Sequence, residues 1–290
     1  MTLERTSPCK INLLLNILGK RPDGFHELET VMHPVNVCDR LTFKHTGKGL
    51  ELTCSDPSLP TDAGNLIHRA ATEFLKVASI TDGVLIRLEK QLPLAAGLGG
   101  GSANAAITLL GLNELFGGSL SPGSLEQIAR TLGSDVPFFL QSKPALATGR
   151  GEEVRPLEFF PALRGTCLLL VHPGFGISTA WAYQQLARFP QALNGRPGRA
   201  TELVTLLKKP DLKSAGEAFF NSLEAPALKK YPLLVLFQEF FRAQGAAATL
   251  MSGSGSTTFA LFEAKAAAEQ AIEKFRREFG TTCWTALVPL

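Results

Sequence analysis

The alternation of apolar and polar residues near the start of the chain predicts a long strand. Across residues 8–18 an apolar side chain recurs at every second position. A period of two places neighbouring side chains on opposite faces of a strand, so one face lies in the core. The apolar face comprises Cys9, Ile11, Leu13, Leu15 and Ile17. Lys10 and Asn12 share the other face, which is either an ordinary solvated surface or part of a site.

The pattern then predicts several strands and helices before residue 156. The strands are at residues 28–37, 41–43, 50–53 and 84–89, and those at residues 41–43 and 50–53 indicate a meander. A helix is predicted at residues 65–78, with Asn65 as its N-cap, and others at residues 102–115 and 122–132. Strands and helices do not alternate strictly, which favours an α+β fold over a doubly wound sheet.

The pattern changes near Pro156, and we place a domain boundary there. The predicted domains are residues 1–155 and residues 156–290. Strands in the second are predicted at residues 166–171, 247–251, 258–262 and 285–288. Helices are predicted at residues 179–187, 203–207, 212–223, 233–243 and 263–279. Helices that cover one face of a sheet predict a small α/β sandwich.

The segment at residues 93–103, here called the glycine loop, carries the strongest chemical signal. It leads into a helix that is apolar nearly all round, as buried helices are. The first N–H groups of a helix have no internal partner and attract anions, which glycine allows to approach closely. The alternatives are a phosphate-binding loop and a simple tight turn. The loop consists of Pro93, Leu94, Ala95, Ala96, Gly97, Leu98, Gly99, Gly100, Gly101, Ser102 and Ala103.

Two named phosphate-binding motifs do not match the glycine loop. The sequence G-x-x-x-x-G-K-[ST] occurs nowhere in the chain. The third spaced glycine of a dinucleotide fingerprint is missing, and the pattern shows no clear parallel βαβ unit around the loop. The site is therefore of neither the Walker nor the Rossmann type.

Three other segments are candidates for chemistry, each with a plainer alternative. Phe25 and His26 follow a turn-rich loop, where they either stack on and hydrogen-bond a flat ring or form part of the core. Asp135 precedes Pro137 and either caps a short turn or serves as a catalytic carboxylate. Residues 252–256, here called the serine loop, form either a tight hairpin or a partner that presses on the glycine loop.

Composition excludes several classes of function. Of the 290 residues 45% are hydrophobic and 19% charged, which is typical of a globular chain with ample core. The net charge of +3 is too small to favour nucleic-acid binding. No apolar run approaches the roughly 18 residues that a membrane span needs. Five dispersed cysteines fit reduced thiols, and we expect a cytoplasmic protein that is a monomer or weak homodimer.

Taken together, these motifs resemble the GHMP kinase superfamily over essentially the whole chain. The first marks are the lysine-bearing strand at residues 8–13, the glycine loop and residues 251–262. Further matches are residues 133–137, 149–152 and 172–174. Residues 21–28 resemble the branch that phosphorylates a cytidyl-linked methylerythritol in the non-mevalonate route to isoprenoids. The resemblance implies an N-terminal domain with a left-handed βαβ crossover and a ferredoxin-like C-terminal domain.

The resemblance also implies a reaction and its residues. The γ-phosphoryl group of ATP, with Mg²⁺, is transferred to a tertiary hydroxyl of the small-molecule substrate. Asp135 and Lys10 match the catalytic pair, which lies close together in the family, and the glycine loop matches the ATP site. The positions that match substrate contacts are Asn12, Phe25, His26, Thr179 and Tyr183.

The chain departs from the family pattern at a few positions. Phe25 stands where tyrosine is usual, which keeps stacking but removes a hydroxyl, and Cys9 replaces a common alanine. Serines that can hold Mg²⁺ in other branches are replaced by Gly100 and Gly101, so no metal ligand is assigned. The competing functions are a homoserine or mevalonate type of kinase and a non-catalytic ligand-binding relative.

Overall fold

The structure, a computed structural model, describes residues 2–290 and divides into two compact units. The first unit comprises the chain up to Cys9, Asn36–Leu92 and Gly99–Ser142. The second comprises Lys10–Val35, Pro93–Leu98 and Lys143–Leu290. Two long strands, β1 (Thr2–Lys20) and β2 (His26–Thr46), run through both units, so neither unit is one continuous stretch of chain. The division at residue 156 stays a prediction.

The first unit contains a mixed sheet with helices. Strand β4 lies between β3 and the C-terminal half of β2. Asn65 caps α1 as predicted, because its side chain accepts a hydrogen bond from the Ile67 N–H. The elements of this unit are β3 (Leu50–Cys54), α1 (Leu66–Val77), β4 (Gly83–Glu89), α2 (Gly100–Leu115), α3 (Pro122–Leu132) and a 3₁₀ helix at Pro137–Leu140.

The predicted meander is wrong, because β3 pairs with β4 in parallel rather than with β2. Alternate residues of β4 are fully buried, which suits a strand with neighbours on both sides. Strand β3 exposes Glu51 and Thr53, which suits an edge. The parallel pair needs a crossover, and α1 supplies it. A parallel βαβ unit therefore directly precedes the glycine loop, contrary to the sequence-based interpretation.

Helix α2 is buried, as its apolar composition predicts. It packs against α1, α3 and the 3₁₀ helix. At Gly111 a Cβ atom would lie 2.6 Å from the Phe43 ring, so glycine is what lets α2 approach strand β2 this closely. The glycine loop thus leads into a helix that cannot shift without disturbing the core of the first unit.

The second unit contains an antiparallel sheet in the order β11-β7-β10-β9. Strands β5 and β6 form a separate hairpin, and β5 pairs with the N-terminal half of β2. The strands of this unit are β5 (Ala145–Thr148), β6 (Glu153–Pro156), β7 (Cys167–His172), β8 (Phe220–Asn221), β9 (Ala248–Met251), β10 (Thr258–Phe262) and β11 (Trp284–Pro289). The helices are α4 (Thr179–Gln185), α5 (Pro190–Leu193), α6 (Arg199–Leu207), α7 (Leu212–Glu217), α8 (Glu224–Lys230), α9 (Leu233–Ala243) and α10 (Lys265–Phe279).

One helix of the second unit was predicted too long. The pattern at residues 212–223 predicts a single helix, but α7 ends at Glu217 and Phe220–Asn221 forms strand β8. Strand β8 pairs in parallel with Leu14 and Leu15 of β1. That partner lies about 200 residues away in sequence, so local periodicity carries no sign of it. Among residues 2–290, no helix is both long and apolar enough to cross a bilayer.

Candidate active site

Lys10 and Asn12 lie on a face of β1 that is buried, not solvated. Their exposed fractions are both 3%. The Lys10 ammonium donates to Asn12 Oδ1 at 2.6 Å, and the Asn12 amide donates to Thr30 Oγ1 at 2.8 Å. Thr30 in turn donates to the Leu14 carbonyl. This chain of hydrogen bonds fixes the orientation of the lysine, because each buried polar group has a defined partner.

The main chain of Lys10 also holds the glycine loop. Its N–H donates to the carbonyl oxygen of Leu98 at 3.0 Å. The strand that carries the lysine and the segment Pro93–Leu98 therefore have a fixed register within the second unit.

The serine loop connects the antiparallel strands β9 and β10 as a hairpin and also packs against the glycine loop, so both alternatives for it are confirmed. Gly97 has φ of +76°, and a Cβ atom there would lie 2.0 Å from the carbonyl oxygen of Ser252. The Ser252 hydroxyl donates to the Gly97 carbonyl at 2.9 Å, and the Thr257 N–H donates to the Ala96 carbonyl. No residue larger than glycine fits at position 97 without moving one of the two loops.

Thr179 joins the serine loop to α4. Its hydroxyl lies 2.9 Å from the hydroxyl of Ser254, and Ser178 caps the helix by accepting from the Trp181 N–H. The Ser256 hydroxyl donates to the carbonyl of Phe175. The hydroxyl groups of Ser254 and Ser256 thus connect the serine loop to the segment at residues 175–179.

The start of α2 has the features of an anion site. The helix has 16 residues, its N-cap is Gly99 with φ of +71°, and no side chain caps it. No acidic residue lies in the first turn. The first N–H groups of a helix have no intrahelical partner and carry partial positive charge, so this end favours a phosphate group.

A buried cluster that sequence reasoning missed lies beside this helix start. Asp39 is fully buried and accepts from the Lys90 ammonium at 2.8 and 3.0 Å, and from Asn104 at 3.0 Å. The N–H groups of Gln91 and Leu92 donate to the same carboxylate. The cluster therefore fixes the chain where it leaves β4 and enters the glycine loop. No sequence motif predicts the cluster of Asp39, Lys90 and Asn104, because its members come from three separate parts of the chain.

Asp135 precedes the 3₁₀ helix that packs against α2 in the first unit. The N-cap of that short helix is Val136, and no side chain caps it. The N-cap position is therefore occupied by Val136 and not by Asp135. Asp135 is half-buried.

The rings of His26 and Tyr183 pack together in the second unit, and Phe25 directly precedes His26 in the chain. These three residues are here called the ring group. The His26 and Tyr183 ring centroids are 5.0 Å apart, and Phe25 is 51% exposed. Burial, with a smaller contribution from the charge of Lys20, lowers the pKa of His26 below its usual value, so the imidazole is neutral at pH 7. A neutral imidazole with aromatic neighbours suits an uncharged flat heterocycle.

Arg150, which sequence reasoning missed, supports this ring group. Its guanidinium carbon lies 4.5 Å from the centroid of the Phe25 ring, and it pairs with Glu152 at 3.2 Å. The Gly149 carbonyl of the same turn accepts from the Leu28 N–H. The turn between β5 and β6 therefore holds the segment that carries Phe25.

The predicted site residues fall into the two units as follows. Asp135 and residues 99–103 belong to the first unit. Lys10, Asn12, residues 93–98 and the ring group belong to the second, where the contacts above bring them into two clusters. Among residues 2–290, no group of three or more His, Cys, Asp or Glu side chains is placed to hold a metal ion.

Comparison with known proteins gives consistent results over the whole chain. The profile "GHMP kinases N terminal domain" matches residues 65–143, and "GHMP kinases C terminal" matches residues 203–281. A 4-diphosphocytidyl-2-C-methyl-D-erythritol kinase of Geobacter sp. (strain M21) is 40% identical over 289 residues, which are 98% of this chain and 99% of that protein.

Solved structures show the same likeness. A crystal structure of 4-(cytidine 5'-diphospho)-2C-methyl-D-erythritol kinase has a TM-score of 0.79 at 34% identity, and the match covers 99% of this chain and 100% of that one. A homoserine kinase from Cytophaga hutchinsonii has a TM-score of 0.77 at 21% identity, with 99% of this chain and 94% of that one covered. The second likeness concerns the fold alone.

Proposed function

The chain belongs to the 4-diphosphocytidyl-2-C-methyl-D-erythritol kinases of the GHMP kinase family, and from that membership we propose its reaction and the roles of its residues. It is an ATP-dependent small-molecule kinase with the α+β GHMP kinase fold, as predicted. The proposed reaction transfers the γ-phosphoryl group of ATP to the 2-hydroxyl of 4-diphosphocytidyl-2-C-methyl-D-erythritol. The products are the 2-phosphate and ADP, within isoprenoid precursor synthesis.

The observation that carries the choice of substrate is the ring group of Phe25, His26 and Tyr183. An exposed phenylalanine offers a stacking surface, and stacking on a base contributes roughly 1–3 kcal/mol. A neutral histidine can donate to or accept from the edge of cytosine. Homoserine and mevalonate have no ring that would use these side chains.

Phosphoryl transfer leaves the protein to position the reactants and to stabilise charge. The oxygen of the hydroxyl forms a bond to the γ-phosphorus as the bond from that phosphorus to the β-phosphate oxygen breaks, and ADP leaves. In this proposal Asp135 accepts the hydroxyl proton, and Lys10 stabilises the negative charge that develops on the oxygen. The main-chain N–H groups of the glycine loop hold the ATP phosphates.

Mg²⁺ belongs to the proposal as a companion of ATP. Mg²⁺ is usually held by one or two carboxylates together with substrate phosphates and water, not by a complete protein cage. The ion would offset the charge of the phosphates, and we assign it no protein ligand.

The direct test is to incubate the protein with ATP, Mg²⁺ and the cytidyl substrate. Mass spectrometry should detect the substrate with one added phosphoryl group, in an amount equal to the ADP released. Parallel reactions with homoserine and with mevalonate should give none. Phosphorylation of either of those alcohols in preference to the cytidyl substrate would overturn the proposal, and so would ATP binding with no product from any alcohol.

We expect Phe25→Ala to raise the KM for the cytidyl substrate with little change in the KM for ATP. Loss of a stacking partner is worth roughly 1–3 kcal/mol, which corresponds to an increase of about 5- to 150-fold. Steady-state kinetics with each substrate varied in turn measure the two KM values.

Phe159→Ala is the matched control for Phe25→Ala. Phe159 is exposed to a similar degree, 53% against 51%, but its ring contacts His33 and not the ring group. Its replacement should leave both KM values unchanged. If Phe25→Ala behaves like the control, the ring group does not bind the cytidyl end.

A further inference from the structure

Asn221, at the end of β8, binds the main chain of the serine loop and of the residue before it. The side chain is 3% exposed, and its amide donates to the carbonyl of Met251 at 2.7 Å and to that of Gly253 at 2.8 Å. Its Oδ1 accepts from the N–H of Leu223 at 2.9 Å. Every hydrogen-bonding atom of the Asn221 side chain is therefore engaged, and two of its bonds fix the carbonyls that flank Ser252.

The backbone of β8 is itself tied to the strand that carries Lys10. Asn221 pairs with Leu15, the Ser222 N–H donates to the Leu15 carbonyl at 2.8 Å, and the Ser222 hydroxyl accepts from the Ile17 N–H at 3.0 Å. The paired part of β1 is buried, so the backbone of Asn221 is attached to the core of the second unit. The position of the serine loop therefore depends on Asn221 and on the pairing of β8 with β1.

A second buried group acts on the same loop. Glu224 accepts from the Met251 N–H at 2.8 Å and from the Gln238 amide at 2.6 Å. Burial raises the pKa of Glu224 above its usual value. The N–H and the carbonyl of Met251 are thus bound by two side chains, those of Glu224 and Asn221 respectively.

The serine loop also contacts Gly97 of the glycine loop. The two backbones approach so closely that a Cβ atom on Gly253 would lie 2.9 Å from the Gly97 carbonyl oxygen. The Ser252 hydroxyl donates to that carbonyl. A shift of the serine loop by a few tenths of an ångström must therefore move Gly97 or open the contact.

We propose that Asn221 is a positioning residue for ATP, which sets the conformation of the glycine loop through the serine loop. Contacts connect β1 to β8, Asn221 to the carbonyls of Met251 and Gly253, and Ser252 to Gly97. The proposal rests on the proposed function only in that the glycine loop binds the ATP phosphates. The residue touches neither substrate in this account, and its effect is on the affinity for the nucleotide.

The test is Asn221→Asp, which preserves the shape of the side chain but replaces the donor with an acceptor. A carboxylate oxygen would then face two carbonyl oxygens, and the serine loop would have to move. We expect the KM for ATP to rise on the order of 10-fold, since an unsatisfied buried group costs about 1–3 kcal/mol. The KM for the cytidyl substrate should not change.

A second variant and a binding measurement separate positioning from folding. Asn221→Ser keeps one hydroxyl donor and should give an ATP affinity between those of the wild type and Asn221→Asp. If Asn221→Asp fails to fold, the comparison of Asn221→Ser with the wild type carries the test. Calorimetric titration with a non-hydrolysable ATP analogue measures affinity without the alcohol, so it remains informative even if the proposed substrate is wrong.

Asn113→Asp is the matched control. Asn113 also braces a loop, because its amide donates to the Leu120 carbonyl and its Oδ1 accepts from the Leu120 N–H, but that loop does not touch the glycine loop. This variant should keep the wild-type affinity for the analogue. A purely structural role for Asn221 would lower the thermal midpoint and kcat while leaving both KM values and the affinity for the analogue unchanged, and that result would overturn the proposal.

Discussion

Asp135→Asn should lower kcat about 10²- to 10⁴-fold while ATP binding stays normal, because general-base assistance typically contributes that much to a rate. Asparagine matches the carboxylate in shape but cannot take up the proton of the attacking hydroxyl. Single-turnover kinetics with saturating ATP measure the chemical step, and titration with a non-hydrolysable ATP analogue measures binding.

Asp82→Asn serves as the control for the loss of one carboxylate charge. Asp82 belongs to the same unit and pairs with His45, but its side chain is 58% exposed. Its replacement should leave kcat and ATP affinity at wild-type values. Wild-type kcat in Asp135→Asn, with correct folding and normal ATP affinity, would show that another group accepts the proton.

Lys90→Met should destabilise the protein more than any surface substitution. The Lys90 side chain is 7% exposed and Asp39 is fully buried, so removal of the ammonium leaves an uncompensated charge in the interior. Breaking a buried ion pair on one side costs about 3–5 kcal/mol. For a chain of this size we expect the thermal midpoint to fall by roughly 10 °C.

Loss of the Lys90 ammonium should also destabilise the start of the glycine loop, because that ammonium donates to the Leu92 carbonyl at 2.6 Å. Lys265→Met is the control: Lys265 pairs with Glu269 on α10, and both side chains are more than half exposed. An exposed pair contributes about 0–1 kcal/mol, so that midpoint should hardly move. Differential scanning calorimetry measures the thermal midpoints of both variants. Equal midpoints would show that the Asp39 cluster contributes little to stability.

Local sequence predicted the structure correctly where the pattern was a side-chain period or a residue with a special backbone preference. Local patterns predicted the N-cap Asn65, the buried helix α2 and the exact span of β10. Each depends on a property of a short segment, such as side-chain period or the absence of a Cβ atom. The same reasoning also selected Phe25 and His26.

Local sequence failed where a partner came from far along the chain. Lys90 looks like an ordinary surface lysine until Asp39, 51 residues earlier, is placed against it. Asn221 looks like the end of a helix until β1 and residues 251–253 are placed on either side of it. Arg150 gains a role only through its contact with Phe25.

The sequence by itself determined most of the longer strands and helices, the two loops of small residues and, through resemblance, the class of reaction. Only the tertiary structure decided that β4 rather than β3 lies beside β2, that the polar face of β1 is buried, and which side chains hold the loops in place. The physical reason is that propensity and periodicity act over a few residues. Strand order, burial of charge and loop position are set instead by the competition of distant segments for the same neighbours.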